Sequence, residues 1–115
     1  MRWYERLRRH AEIAYIRRRG KRATALTFTA YLAELACSRP RIGITISKAV
    51  GKAVVRNRIR RRLRGILDGT SLFLPERCGL LLVVRPEAAP ASYDRLAGEL
   101  ADALEGFGAV HRQGR

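Results

Sequence analysis

The sequence predicts a single α+β domain in which helices cover a sheet. Two segments, residues 22–33 and 41–47, alternate apolar and polar side chains with the period of a strand. Residues 51–67 instead carry apolar side chains at the spacing of a helix. Residues 78–84 are almost uniformly apolar, which is typical of a strand covered on both faces. The chain of 115 residues is long enough for one modest core.

The first predicted element is a helix over residues 2–19. Gly20 follows it, and we expect this glycine to end the helix as its C′ residue. The strand over residues 22–33 comes next, with a short extra strand at 23–25 as an option. Its apolar face contains alternate residues: Leu26, Phe28, Ala30 and Leu32. Its other face is polar: Thr27, Thr29 and Tyr31.

The strand over residues 41–47 follows a turn at 38–40 and has the same two-faced pattern. Its isoleucines are expected in the core, and its small residues Gly43 and Thr45 on the opposite face. If the two strands pair antiparallel, that opposite face becomes a shallow polar floor with Tyr31 as its one aromatic residue.

The helix over residues 51–67 has a narrow apolar stripe and a wide cationic face. The stripe is made by residues at steps of four, four and three: Val55, Ile59, Leu63 and Ile66. No acidic residue interrupts the cationic face, so neighbouring arginines repel one another unless a polyanion lies along them. Gly69 ends this helix, and residues 71–77 are expected as a loop or short turn.

A last helix is predicted over residues 92–104, with Ser92 as its N-cap. Residues 106–115 are expected as a frayed tail, which leaves a domain core of about residues 5–105. The unit formed by 41–47, the basic helix and 78–84 is a strand–helix–strand crossover, whose default hand is right.

The charge balance points to nucleic acid. Lys and Arg number 24 against 10 Asp and Glu, for a net charge of +14. An anionic membrane surface is a weaker interpretation, because the apolar stripe of the basic helix is narrow. Cys37 and Cys78 lie far apart without a metal-ligand spacing, so we expect two buried, reduced thiols.

No motif for protein-borne catalysis is evident. The two histidines cannot complete a common zinc site, and the basic regions nearly lack the carboxylates that a two-metal nuclease needs. We therefore expect no catalytic and no metal-ligating residue in this chain, and binding as its activity.

Residues 43–62 carry a specific family resemblance. The run GITISK, followed by GKAVVRNRIRR, resembles the signature of the bacterial ribonuclease P protein subunit, whose hallmark is the tripeptide Arg56-Asn57-Arg58 after Lys-x-x-Gly-x-Ala-Val. Residues 7–22 resemble the opening helix of that family, and Tyr31 falls where the family has an aromatic residue in its substrate cleft.

The resemblance implies a fold, a reaction and partners. The family fold has the order α-β-β-β-α-β-α, with a mixed sheet of about four strands and a left-handed crossover carrying the basic helix. The family partner is a catalytic RNA that removes the 5′ leader of precursor tRNA with Mg²⁺, so the catalytic centre is expected in the RNA. Mg²⁺ is expected mainly on the RNA subunit and the substrate. The expected partners are ribonuclease P RNA and precursor tRNA in the cytoplasm, with no membrane and no obligate protein partner.

Two sets of site residues carry over by position. The RNA-subunit contacts implied by the resemblance are Ser47, Lys48, Lys52, Arg56, Asn57, Arg58, Arg60 and Arg61. The implied leader cleft is lined by Ile13, Arg17, Thr29, Tyr31 and Thr45. Arg56 has a second interpretation, in which it braces the helix against the sheet, and Tyr31 has one as an ordinary half-buried strand residue.

The sequence departs from the family at two positions. Ile13 stands where the family usually has Phe, which bears on base stacking at that wall of the cleft, and Ala49 replaces a common second Lys. Two other functions fit the residues alone: a general RNA-binding or ribosome-associated protein, and a DNA-binding protein with the Arg helix in the major groove.

Overall fold

The computed structural model describes residues 3–69, 72–74, 77–108 and 110–111. In chain order its elements are β1 (Glu5–Arg6), α1 (His10–Arg19), β2 (Lys21–Thr24), β3 (Phe28–Glu34), β4 (Arg41–Thr45), α2 (Ala53–Gly69), β5 (Leu72–Phe73), β6 (Cys78–Val84), α3 (Tyr93–Gly106) and β7 (Val110–His111). Five strands form one mixed sheet in the order β1-β4-β6-β3-β2, and β5 pairs with β7. The predicted α+β class is confirmed, with five strands in the sheet where about four were expected.

The apolar strand β6 occupies the centre of the sheet. It pairs parallel with β4 and antiparallel with β3, and six of its seven residues are buried. The condition considered for residues 22–33 and 41–47, that they pair antiparallel with each other, is therefore not met, because β6 lies between them. A strand with two apolar faces loses most contact with water in the middle of a sheet, which explains its position.

The predicted crossover is present, since the chain runs from β4 through α2 to β6 and the two strands are parallel neighbours. A buried stripe holds α2 on the sheet: Ile59, Leu63 and Ile66 are buried, Val55 packs on them half-buried, and Leu67 extends the stripe. The left hand of this crossover stays an expectation from the family resemblance.

The first helix is shorter than predicted. It begins at His10, because residues 5 and 6 pair as a strand with Arg41 and Ile42 of β4. The aromatic residues before β1 contact the C-terminal end of α2 instead. The Trp3 indole N–H donates to the Leu67 carbonyl at 3.0 Å, and the buried Tyr4 donates its hydroxyl to Asp68 at 3.1 Å. These contacts satisfy groups at the C-terminal end of α2.

Gly20 ends α1 as predicted, and its N–H donates to the Ile16 carbonyl, but its backbone is extended. Its φ is −75° and its ψ is 157°, because the chain passes directly from α1 into β2. The glycine is needed for space: a Cβ here would lie 2.5 Å from the Ile16 carbonyl oxygen and 3.0 Å from that of Leu32.

The two faces of the sheet carry different layers. The main core lies between one face and the helices α2 and α3, and it includes Phe28, Leu80 and Leu82. The other face is covered by α1 and by Leu7 of the segment before it, through a small cluster that includes the fully buried Ile16 and Leu81. Tyr31, Thr29 and Val83 on this face are only half-buried, and Thr45 is exposed.

Three smaller expectations are corrected. Leu26 is not a core residue but is 52% exposed in the turn between β2 and β3, while Thr27 is fully buried. Residues 72–73 form a strand rather than a loop, and within the predicted tail residues 110–111 pair with them. Gly106 of that tail is the last residue of α3, and Phe107 packs against the core, while residues 109 and 112–115 lie outside the described residues.

Two expectations are confirmed. The Ser92 side chain accepts a hydrogen bond from the Arg95 N–H at 3.1 Å as the N-cap of α3. Cys37 and Cys78 are both buried thiols. Among the described residues, no helix is long and apolar enough to cross a membrane.

Candidate nucleic-acid interface

The helix α2 presents a cationic surface opposite its buried stripe, and the side chains of this surface differ in their exposure to solvent. Asn57 and Arg61 are exposed, whereas Arg56, Arg58 and Arg60 are half-buried. The stripe points at the sheet, so the side chains that the resemblance assigns to the RNA subunit are on the outside of the molecule. Two of the half-buried arginines are partly committed to the protein itself.

Arg56 braces the start of its own helix. Its Nε donates to the Gly51 carbonyl at 3.1 Å, which fixes the guanidinium against the turn before α2. This bond goes to the turn rather than to the sheet, so the alternative interpretation of Arg56 is only partly right. The remaining N–H groups of Arg56 can still reach a phosphate.

Arg58 and Arg62 join α2 to the loop before α3. Arg58 donates to the Ala89 carbonyl at 2.9 Å, and Arg62 donates to the Ala91 carbonyl at 3.0 Å. The Nε of Arg58 is buried and has no acceptor among the described residues. Arg62, which the sequence did not single out, shares this tethering role one helical turn later.

The approach to α2 adds further exposed cations. Ser47, Lys48 and Lys52 are exposed around a short 3₁₀ turn, residues 48–50, which the buried Val50 anchors. Gly51 has a φ of 157°, and a Cβ at this position would lie 3.1 Å from the Val55 side chain. A glycine is therefore required where the chain enters the helix.

Three arginines from two elements meet between α2 and β1. Arg60, Arg64 and Arg6 line a crevice whose floor includes Tyr4 and Gly43. Among the described residues none of the three makes an ion pair. Burial is the main reason why the pKa of Arg60 is lowered below that of an ordinary arginine, and the charges of Arg64, Arg6 and Arg56 lower it further. The crevice is thus a site of uncompensated positive charge.

The sequence missed two members of this crevice for different reasons. Arg64 lies one turn after Arg60 on the same helix face, so helical spacing could have found it. Arg6 could not be found in this way, because its position depends on the pairing of β1 with β4.

A cleft lies on the other face of the sheet, beside α1. The strand register places Thr45, Val83, Thr29 and Thr24 in one row, and Gly43, Leu81, Tyr31 and Arg22 in the next row. All three strand residues predicted for the leader cleft are therefore on one face.

The helix α1 forms the wall of this cleft. Ile13 is half-buried against the cluster that contains Tyr31, and the exposed Arg17 holds its guanidinium carbon 5.9 Å from the centre of the Tyr31 ring. A cation over an aromatic face at this distance is attracted to the ring. The cleft thus offers an apolar wall, an aromatic floor and a cation at one edge.

Arg22 and Val83 are additional cleft residues that the sequence did not identify. Arg22 is exposed and pairs in register with Tyr31, while Val83 lies half-buried between Thr29 and Thr45. Thr27, predicted on the same polar face, is instead bonded to Glu99 in the turn before β3. Only the strand order and register could have decided these positions.

The cleft and the cationic helix meet at the end of β4. Thr45 closes one row of the cleft floor, and Ser47 begins the approach to α2 two residues later. One short segment therefore connects the two surfaces, although α1 and α2 pack on opposite faces of the sheet.

The described residues contain no group of three or more His, Cys, Asp or Glu side chains that could hold a metal ion. Two acids at the start of β4 and on α1 are engaged: Arg41 contacts Glu12 at 2.6 Å and Glu5 at 3.6 Å. The arrangement is suited to binding a polyanion through two surfaces, one cationic and one mixed aromatic and cationic.

Comparison with known proteins supports the family resemblance seen in the sequence. A model of the ribonuclease P family matches residues 1–108 of the chain. The chain belongs to this family. The ribonuclease P protein component of Acidothermus cellulolyticus is 40% identical over 96 residues, covering 82% of this chain and 80% of that protein. The component of Thermobifida fusca is 41% identical over 109 residues, covering 86% and 73%.

Solved structures of family members share the fold. The Staphylococcus aureus ribonuclease P protein superposes with a TM-score of 0.75 at 22% identity, over 87% of this chain and 92% of that chain. The Thermotoga maritima protein gives 0.74 at 22% identity, over 85% and 93%. As a ribonuclease P protein component, the chain is a subunit of a tRNA-processing ribonucleoprotein whose partner is ribonuclease P RNA.

Proposed function

We propose that this subunit binds the catalytic RNA through α2 and the 5′ leader of precursor tRNA through the cleft beside α1. It thereby assists the endonucleolytic removal of the leader that makes the mature tRNA 5′ end. The observation that supports this proposal is that a cationic helix and a face with an aromatic ring and flanking arginines lie on opposite sides of one sheet. A general RNA-binding protein needs only one of them.

The first surface suits the backbone of a folded RNA. Arg61, Lys48 and Lys52 are exposed cations, and Asn57 offers an amide between them. Arginine binds phosphate through two parallel N–H groups, which favours positioning over base reading. The crevice of Arg6, Arg60 and Arg64 adds a place where one phosphate could be contacted from several sides.

The second surface suits an unpaired strand. Tyr31 presents a ring on which a base can stack, and Arg17 and Arg22 flank it as phosphate contacts. Thr29 and Thr45 supply hydroxyls that can bond a ribose 2′-OH. Ile13 gives apolar contact where the family usually has an aromatic ring.

The chemistry of cleavage belongs to the RNA subunit in this proposal. In this proposal Mg²⁺ is held mainly by the RNA and the substrate, and the carboxylates of Glu5 and Glu12 are paired with Arg41. We place the assembly in the cytoplasm and propose no obligate protein partner. The chain's own residues bind and orient the RNA chains.

Reconstitution tests the proposal directly. The protein is added to a bacterial ribonuclease P RNA at low Mg²⁺, with a precursor tRNA that carries a leader, and the cleavage rate is measured. We expect clear stimulation over the RNA alone, because the cations of the protein replace part of the Mg²⁺ that the RNA otherwise needs. A rate no higher than that with an unrelated protein of equal charge would refute the assignment.

A further inference from the structure

We propose that the flank of α1 opposite the cleft is a second groove for single-stranded RNA, which takes the distal 5′ part of the leader. The groove contains the exposed Tyr15 and three cations, Arg19, Lys21 and Arg77. This inference rests on the proposed function, since it assumes that the leader enters the cleft first.

The geometry of α1 separates its two flanks. Ile16 is fully buried and points at the sheet. Arg17 lies to one side of it, over Tyr31 in the cleft. Tyr15 and Arg19, which are four residues apart and therefore neighbours on the helix surface, lie to the other side. Each flank thus pairs one tyrosine with one arginine.

The second flank has the composition of a binding groove. Its floor is partly apolar, with the half-buried Leu32 and Phe107, and the Tyr15 side of the groove is open to solvent because Tyr15 is 40% exposed. An aromatic ring with this much free surface can stack on a base of any identity.

The charge of the groove is unbalanced. Arg19, Lys21 and Arg77 are exposed, and none of them makes an ion pair within the described residues, while Glu34 is the only acid in the lining. The dipole of α1 accounts for a basic residue at Arg19 in the last helical turn. It does not account for Lys21 and Arg77, which lie outside the helix. The phosphate groups of an RNA backbone would neutralise these cations.

A continuous basic turn connects this groove to the cleft. Residues 17–22 contain five cations and only Gly20 between them. Arg22 is level with Tyr31 on the cleft face, and Lys21 directs its side chain to the opposite face because successive strand residues alternate. An RNA strand that passes from Tyr31 to the groove around the C-terminal end of α1 would therefore lie along cationic side chains over the whole distance.

This continuity identifies the occupant as the leader rather than the catalytic RNA. The strand in the cleft is single and extends to a free 5′ end, so its next nucleotides must leave past one end of α1. A helix is about 10–12 Å across with its side chains, so the leader must be several nucleotides longer to reach Tyr15 than to reach Tyr31. Leader length is therefore the variable that separates the two grooves.

The experiment measures the affinity of the reconstituted holoenzyme for precursor tRNAs whose leaders are lengthened one nucleotide at a time. With the unmodified protein, the affinity for precursor tRNA should rise in two stages as the leader is lengthened. The first stage comes when the leader reaches Tyr31, and the second when it reaches Tyr15. Tyr15→Leu, which keeps the apolar volume but removes the ring, should abolish most of the second stage and leave the first unchanged. The double variant Arg19→Gln, Lys21→Gln should weaken the second stage by about tenfold, which corresponds to about 1.4 kcal/mol.

The matched control is Arg8→Gln with Arg9→Gln. Both residues are exposed just before α1, and the double variant removes the same charge away from the groove. Equal losses in the control and the test variant, or a loss that is the same at every leader length, would overturn the second groove. A single stage of affinity gain in the unmodified protein would also overturn it while leaving the proposed function intact. A holoenzyme with no leader dependence at all would instead contradict the proposed function.

Discussion

Glu99 of α3 accepts two hydrogen bonds from Thr27, one from the hydroxyl at 2.6 Å and one from the backbone N–H at 3.0 Å. Its other oxygen accepts from Arg95 at 3.1 Å. The pair ties the last helix to the turn that positions β3, the strand carrying Tyr31. A carboxylate with these partners links the stability of the sheet to pH.

The first prediction concerns this pH dependence. Burial alone would raise the pKa of the Glu99 carboxyl, but the hydrogen bonds from Thr27 and Arg95 outweigh it, and the pKa is lowered from 4.5. The stabilisation is therefore complete above the unfolded pKa and is lost as the pH falls through the lower folded value. Glu99→Gln should reduce the free energy of unfolding at pH 7 by about 1–3 kcal/mol, with a smaller difference below pH 4.

Urea unfolding at a series of pH values measures this effect. Glu105→Gln is the control, since Glu105 is exposed on the same helix and should change the free energy of unfolding little. A Glu99→Gln deficit that is as large at acid pH as at pH 7 would contradict the assigned role of the charge.

The second prediction separates two neighbouring cations of α2. Arg58→Ala removes the hydrogen bond to the Ala89 carbonyl and should lower the free energy of unfolding by about 1 kcal/mol, besides weakening RNA binding. Arg61→Ala should weaken binding of the RNA subunit without changing stability, because Arg61 is exposed. Thermal unfolding and RNA titration measure the two effects. Identical unfolding of both variants would show that the bond to Ala89 is unimportant.

The third prediction concerns the crowded arginine Arg60. Its replacement by Met keeps the aliphatic stem but removes a charge that burial and three neighbouring arginines disfavour. The free protein should be at least as stable as the unmodified one, while the slope of log affinity for RNA against log salt concentration should fall by about one. Arg8→Met, at an exposed position outside the crevice, is the control. An unchanged salt slope would mean that Arg60 does not contact phosphate.

The fourth prediction concerns Tyr31. Tyr31→Ala should weaken the affinity for precursor tRNA with a leader by about 1–3 kcal/mol, whereas Tyr31→Phe should retain most of it, because stacking requires the ring and not the hydroxyl. Mature tRNA without a leader should bind both variants alike. Equal losses on the two RNAs would assign Tyr31 to the structure of the sheet rather than to the leader.

The fifth prediction concerns the buried thiols. Burial, with a smaller contribution from Cys37, raises the pKa of Cys78 to about 12. The thiolate is the reactive form, so Cys78 in the folded protein should react very slowly with a thiol reagent at pH 8. In urea both cysteines should react at the rate of free thiols. Rapid labelling of Cys78 itself in the folded protein, located by peptide mapping, would show that the strand β6 opens readily.

The sequence alone predicted more of the cationic surface on α2 than of the cleft beside α1. The cationic face of α2 follows from a period that is visible within seventeen residues, since one helix face is apolar and the other cationic, while its contact residues were assigned by the family resemblance. The cleft needed the family resemblance to assign Tyr31, and its neighbours Arg22 and Val83 appear only through the pairing of three strands. Arg62 was missed because its partner, the Ala91 carbonyl, lies in a loop 29 residues away.

The sequence by itself determined the elements whose signals are local. Hydrophobic period defines the buried stripe of α2 and the bounds of β6, and Ser92 marks the start of α3, because side-chain spacing and capping act within a few residues. Only the tertiary structure decided the strand order, the role of Trp3 and Tyr4 at the end of α2, and the meeting of Arg6 with Arg60 and Arg64. These features depend on which surfaces can be buried together across the whole chain. The cationic helix was evident from its residues, but its division into tethering and exposed arginines required the loop that packs against it.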